Sequence, residues 1–162
     1  MEVVARYLVS ETLRIDIPTD RDQFGRSAFN RYYYAAFLLI RAELRPVVGS
    51  WPKTHAGVPE WLRGSILKEL NKGVRQADRA DDSDLKHLCE SAKAAAIDLS
   101  KLMEHGYSVR VVADYDPETP VEFGNQGEFR LNTIKVTEAQ AWPHRARAFA
   151  RAIVAAWRQI NV

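Results

Sequence analysis

Apolar residues recur at intervals of three and four along most of the chain, and that spacing restricts it to packed helices. The cleanest run is Leu85, Leu88, Ala92, Ala95, Leu99 and Leu102. It predicts an amphipathic helix over 84–105, capped by Ser83 and closed by His105-Gly106. A second helix, over 20–45, carries Phe29, Tyr32, Tyr33, Ala36, Leu39 and Ile40 on one stripe. Thr19 or Asp20 would cap it, and Pro46 and Gly49 would end it. Residues 1–14 read as a modest helix with Val4, Leu8 and Leu13 on its inner side. A loop over 46–57 leads to a short helix over 58–72, with Val58, Trp61, Leu62, Ile66 and Leu70 facing inward and Gly73 as its stop. Residues 75–83 read as a solvated connection. Residues 107–136 break the helical pattern with Pro117, Pro120, Gly124 and Gly127. Within them Gly127-Glu-Phe-Arg-Leu-Asn-Thr-Ile-Lys-Val-Thr137 alternates as a strand or hairpin does. The last helix starts at Thr137, paired with Gln140 in a capping box. Trp142, Phe149, Ile153, Ala156 and Ile160 line its apolar side, and Pro143 falls in or near its first turn. The fold class is therefore all-α, an up-and-down bundle of four to five helices with one irregular loop or short hairpin before the last.

At 162 residues the chain is one domain's worth, 1–162, with 46% hydrophobic and 27% charged residues. A formal charge of +2 excludes a strongly basic, sequence-blind nucleic-acid coat. Arg outnumbers Lys by 16 to 7; GC-rich coding sequence produces that bias, and guanidinium is also the cation for forked phosphate contacts. The lone Cys89 excludes an internal disulfide and reads as a small buried hydrophobe. No run of 18 apolar residues and no signal-peptide pattern occurs, so a cytoplasmic protein without a membrane span is expected.

Arg31, Tyr34, Leu38, Arg41 and Arg45 form a second stripe on the 20–45 helix, apart from the apolar one. Arg and Tyr at that spacing suit phosphate and base contacts; a solvated face or a dimer seam has the same composition. The densest polar cluster is His105-Gly-Tyr107-Ser-Val-Arg110-Val-Val-Ala-Asp114-Tyr115-Asp116. If helix continues past Gly106, Arg110 and Asp114 form an i,i+4 pair with Tyr115 adjacent. That pair is either a structural ion pair or a carboxylate orienting a phosphate-binding guanidinium beside a hydroxyl. Lys53 and His55 precede a helix N-terminus, which favours anions. His87 reads as solvated, and His144 with Arg145 and Arg147 as a basic surface. The four histidines lack metal-ligand spacing, and no phosphate loop, dinucleotide fingerprint or nucleophile elbow is present, so no cofactor is expected.

Three segments together resemble a family. Ser27-Ala-Phe-Asn30-Arg31-Tyr32-Tyr33-Tyr34-Ala35-Ala36-Phe37, Lys53-Thr-His55-Ala-Gly57-Val58 and Arg110-Val-Val-Ala113-Asp114-Tyr115-Asp116 resemble, in order, the segments of HEPN domains, over about 20–160. The resemblance implies a compact, usually dimeric helical bundle found in toxins and phage-defence effectors. Many such proteins are encoded beside a nucleotidyltransferase-like partner. Active members share an Arg followed four to six residues on by His, and cleave RNA without metal through attack of the 2′-OH on the adjacent phosphodiester. Here Arg110 is followed after four residues by Tyr115, and a phenol with an ordinary pKa of about 10 is a poor base near neutral pH. Carried over, Arg110, Asp114 and Tyr115 form the catalytic core. Arg31, Tyr34, Lys53, His55 and His105 contribute binding groups, with His55 or His105 supplying an imidazole. The alternative is an inactive module that binds a partner protein or a nucleotide.

Overall fold

A computed structural model describes residues 1–124 and 127–161; residues 125, 126 and 162, the first two inside the irregular excursion, lie outside the described residues. Helices dominate: α1 (Glu2–Thr12), α2 (Pro18–Val48), α3 (Gly57–Trp61), a π turn (Leu62–Ile66), α4 (Leu67–Ala80), α5 (Ser83–Tyr115) and α6 (Val136–Ile160). Strands β1 (Val121–Phe123), β2 (Phe129–Leu131) and β3 (Ile134–Lys135) form an antiparallel sheet in that order between α5 and α6. The all-α expectation and the short hairpin before the last helix are both met. The chain divides into two compact units, residues 1–37 with 105–143, and residues 38–104 with 144–162.

In the first unit the apolar stripe of α2 is buried as its spacing predicts, with Phe29, Tyr32, Tyr33 and Ala36 at 1% exposure or less. Phe29 meets Phe129 of β2 edge-on at 5.9 Å. Gly25 lets the sheet approach α2: a Cβ there would lie 3.1 Å from Val121 and 3.5 Å from Phe129. Helix α1 is attached differently from its predicted stripe. Val4 and Leu13 are exposed, and Ala5 and Thr12 are the buried positions. Thr12 turns its hydroxyl onto the Leu8 carbonyl, and Arg21 Nε donates to the Thr12 carbonyl. The shallow seat suits small side chains rather than a leucine stripe.

Several helix boundaries fall a few residues from the expected ones. Pro18 is itself the first residue of α2, where its missing N–H costs nothing. Pro46 sits in the last turn of α2, and Gly49, at φ +72°, ends it. Pro143 lies in the second turn of α6 rather than the first, and Thr137 is inside that helix, which starts at Val136. Helix α5 runs ten residues beyond His105, because Gly106 is a contact point: a Cβ there would lie 3.1 Å from Tyr33 and 3.6 Å from Trp142.

The second unit repeats the pattern. Gly73 does not stop its helix, which continues through 75–80 to a left-handed Asp81 at φ 54°. Only Asp81 and Asp82 separate α4 from α5. The Asp82 carboxylate accepts from the Leu85 amide, so Asp82 and not Ser83 caps α5. A Cβ on Gly73 would lie 2.5 Å from Ile160 and 2.8 Å from the sulfur of Cys89, which is fully buried as expected. Gly73→Ala is therefore expected to lose about 1–3 kcal/mol of stability, although alanine is the better helix former. Gly64→Ala, with nothing near its Cβ, is expected to lose none. Urea unfolding of the two variants, read as midpoint shifts at unchanged slope, distinguishes them.

Candidate functional site

Continuation of α5 past Gly106 produces the cluster on which the sequence reading depends. Arg110 Nε lies 2.8 Å from Asp114 Oδ2, one turn further along the same face. Asp114 is itself fixed, because its Oδ1 accepts from Asn30 Nδ2 of α2 at 2.6 Å. The guanidinium carbon of Arg110 lies 6.0 Å from the centre of the Tyr34 ring and 5.4 Å from that of Tyr115. Arg110 is 18% exposed and Tyr115 70%. The cation is thus anchored, while the phenol beside it stands in solvent. Burial works against the Arg110 charge, but the Asp114 carboxylate, Tyr34 and Tyr115 outweigh it and hold the guanidinium pKa above its ordinary value.

A cleft of about 370 Å³ opens beside this cluster, lined by Gln23, Arg26, Ser27, Asn30, Arg31, Ala113 and Asp114. Arg31, Tyr34, Arg110, Asp114 and Tyr115 are therefore brought together within the first unit. The other three predicted residues are placed elsewhere. His105 pairs at 3.8 Å with Glu138 of α6. It is five residues from Arg110 on a helix, about 140° around the axis. Lys53 and His55 lie in the loop between α2 and α3 in the second unit. Within the first unit the described residues around Arg110 supply guanidinium, carboxylate, amide and phenol groups. Arg41 and Arg45 of the second stripe are exposed and belong to the second unit.

One residue of the cleft was not anticipated. Arg26 is 11% exposed and pairs with Asp22 at 2.6 Å. Its Nη1 donates to the carbonyls of Val112 at 3.1 Å and Asp116 at 3.0 Å, and its Nη2 to that of Thr119. It thereby closes the C-terminal end of α5, where unpaired carbonyls and the negative end of the helix dipole collect. Asp22 uses its other oxygen to accept from the Val121 amide at 2.6 Å, which ties β1 to α2. The Arg110 cluster therefore sits on a helix end held by a second arginine. A signal existed in the sequence: Asp22 and Arg26 continue the core stripe of Phe29 and Tyr33 at the same spacing, so both point toward the interior.

Among the described residues no group of three or more His, Cys, Asp or Glu side chains gathers as a metal site. No helix among them is long and apolar enough to cross a membrane. Comparison with protein-family models, with curated proteins and with solved structures finds no match for this chain.

Proposed function

We propose that the chain is a HEPN-like domain that binds RNA at the end of α5, with Arg110 on a backbone phosphate. The observation that carries this reading is the oriented guanidinium. Asp114, which accepts from Asn30, lies 2.8 Å from Arg110 Nε as its counter-charge, an ion pair without hydrogen-bond alignment. A fork held in that way meets phosphate oxygens without first losing side-chain entropy. Tyr34 and Tyr115 flank it with rings on which an unpaired base can stack. Arg31 lines the adjoining cleft, which reaches the cluster through Asn30 and Asp114, and supplies a second cation for the strand.

Binding of a fluorescein-labelled single-stranded RNA, measured by anisotropy across a salt series, tests the reading. Arg110→Ala is expected to weaken binding about tenfold and to lower the salt slope by about one phosphate contact. Equal affinities and slopes for the two proteins would remove the proposal.

Cleavage is a second reading, favoured by the exposed Tyr115 phenol beside Arg110, whose guanidinium carbon lies 5.4 Å from the ring centre. The 2′-oxygen would bond to phosphorus as the P–O5′ bond breaks, leaving a 2′,3′-cyclic phosphate and a 5′-hydroxyl. Arg110 would stabilise the charge on the phosphoryl oxygens, while the 2′-hydroxyl gives its proton to water and the departing 5′-oxygen takes one from water. Cyclic-phosphate ends formed in EDTA by the wild type, and absent with Arg110→Ala and Tyr115→Phe, would establish it. Intact RNA with the wild type would leave binding as the function.

A further inference from the structure

The second unit carries a cleft that the RNA reading does not use. It has a volume of about 410 Å³ and is lined by Ser50, Trp51, Pro52, Gly57, Glu60, Trp61, Gly64 and Ser65. Trp51, from the loop after α2, and Trp61, at the end of α3, meet at 5.2 Å between ring centres with their planes 60° apart. At that angle the contact is edge-to-face rather than stacked, and both indoles line the cleft. Both are part-exposed. The only charged lining side chain is the exposed carboxylate of Glu60.

The backbone here departs from the α-helix. Leu62–Ile66 is a π turn, which carries an extra residue into the helix. Its inward side chains, Leu62 and Ile66, remain in the core at 1% exposure or less, so the wide turn is not a packing failure. Its outward residues, Gly64 and Ser65, line the cleft, and a Cβ on Gly64 would meet nothing within 4 Å. Such turns are frequently found at functional sites.

We propose that this cleft binds an organic cation, specifically a quaternary ammonium group. The negative faces of two indoles attract a cation, and a methylated ammonium gives up its hydration more cheaply than a primary one. Glu60 adds the counter-charge. A phosphate would meet that carboxylate with no cation among the lining residues. The group could arrive as a free solute such as choline or as a trimethyl-lysine side chain, and both present the same chemistry to the rings.

Titration of the full chain with tetramethylammonium and choline, followed by the Trp indole N–H signals in NMR, tests the site. Both cations are expected to shift the Trp51 and Trp61 signals and to leave those of Trp142 and Trp157 unmoved. The neutral isostere of choline, 3,3-dimethyl-1-butanol, is expected to leave all four unmoved. Trp61→Leu should weaken binding about tenfold, one ring's share of a desolvated cation–π contact. Glu60→Gln, at an exposed position that does not endanger folding, should weaken it about fivefold. A trimethyl-lysine peptide that binds more tightly than choline assigns the site to a peptide side chain, and the reverse order assigns it to a solute; either supports the proposal. Failure of both cations to bind would overturn it. So would equal binding of the neutral isostere, or shifts of the same signals by AMP in place of the cations. No arm uses RNA, so the result is independent of the Arg110 reading.

Discussion

Arg26→Ala is expected to unfold about 3 kcal/mol more easily than the wild type, without touching the Arg110–Asp114 pair directly. Three things go at once. Asp22 keeps a part-buried charge that has lost its partner at 2.6 Å. The carbonyls of Val112, Asp116 and Thr119 lose their donor. The end of α5 loses the cation that complements its dipole. Breaking a buried pair typically costs about 3–5 kcal/mol, and the residual exposure of Asp22 places this one at the lower end. For a chain of this size that is a fall of about 6–12 °C in Tm. Arg26→Lys should recover less than half of the loss, because a single ammonium cannot face Asp22 and three carbonyls at once. Calorimetry gives the stability, and amide exchange at residues 112–116 gives the local effect. Wild-type stability in Arg26→Ala would mean that the last turn of α5 holds itself.

The same arginine shows what the sequence makes legible and what it does not. Periodicity is a local property, so the helices, the buried stripe of α2 and the strand alternation after Gly127 could be read directly. The i,i+4 relation of Arg110 to Asp114 could be read too, on the condition that α5 passed Gly106. That condition was the obstacle. Gly73 and Gly106 both resemble stops, since glycine is the usual residue beyond a helix end. Here each is instead the point where a side chain from elsewhere fills the space of a missing Cβ: Ile160 and Cys89 at one, Tyr33 and Trp142 at the other. A glycine's role then depends on a neighbour 16 to 87 positions away, and no local window contains it. The separation of His105 from Arg110 has a simpler cause. Five helical positions turn a side chain about 140°, so two residues close in sequence face different surroundings. The Trp51–Trp61 pair is not legible from periodicity, because Trp61 falls on the apolar stripe of its helix and Trp51 in a loop without a repeating pattern.

The second large effect is expected at Phe129. It is 1% exposed and is the side chain through which the small sheet grips α2. Its ring lies 5.9 Å from Phe29 at 85°, and 5.7 Å from Phe123. Strands of three, three and two residues cannot stand alone in water, so the sheet exists through this docking. Phe129→Ala removes the ring and its two aromatic contacts, with an expected cost of about 3–5 kcal/mol. Phe129→Leu, which keeps most of the volume, should cost about 1–2 kcal/mol. The two variants also separate global from local collapse. If sheet and helices unfold as one unit, the chemical-denaturation midpoint falls by the full amount at unchanged slope. If the sheet detaches first, the slope falls, and the amides of Val121 and Leu131 exchange long before those of α2. The Asp22 contact to the Val121 amide favours the first outcome, because it joins β1 to the helix that also carries Phe29. A Phe129→Ala protein with wild-type midpoint and slope would show that Asp22 and the Gly25 contact suffice to hold the sheet.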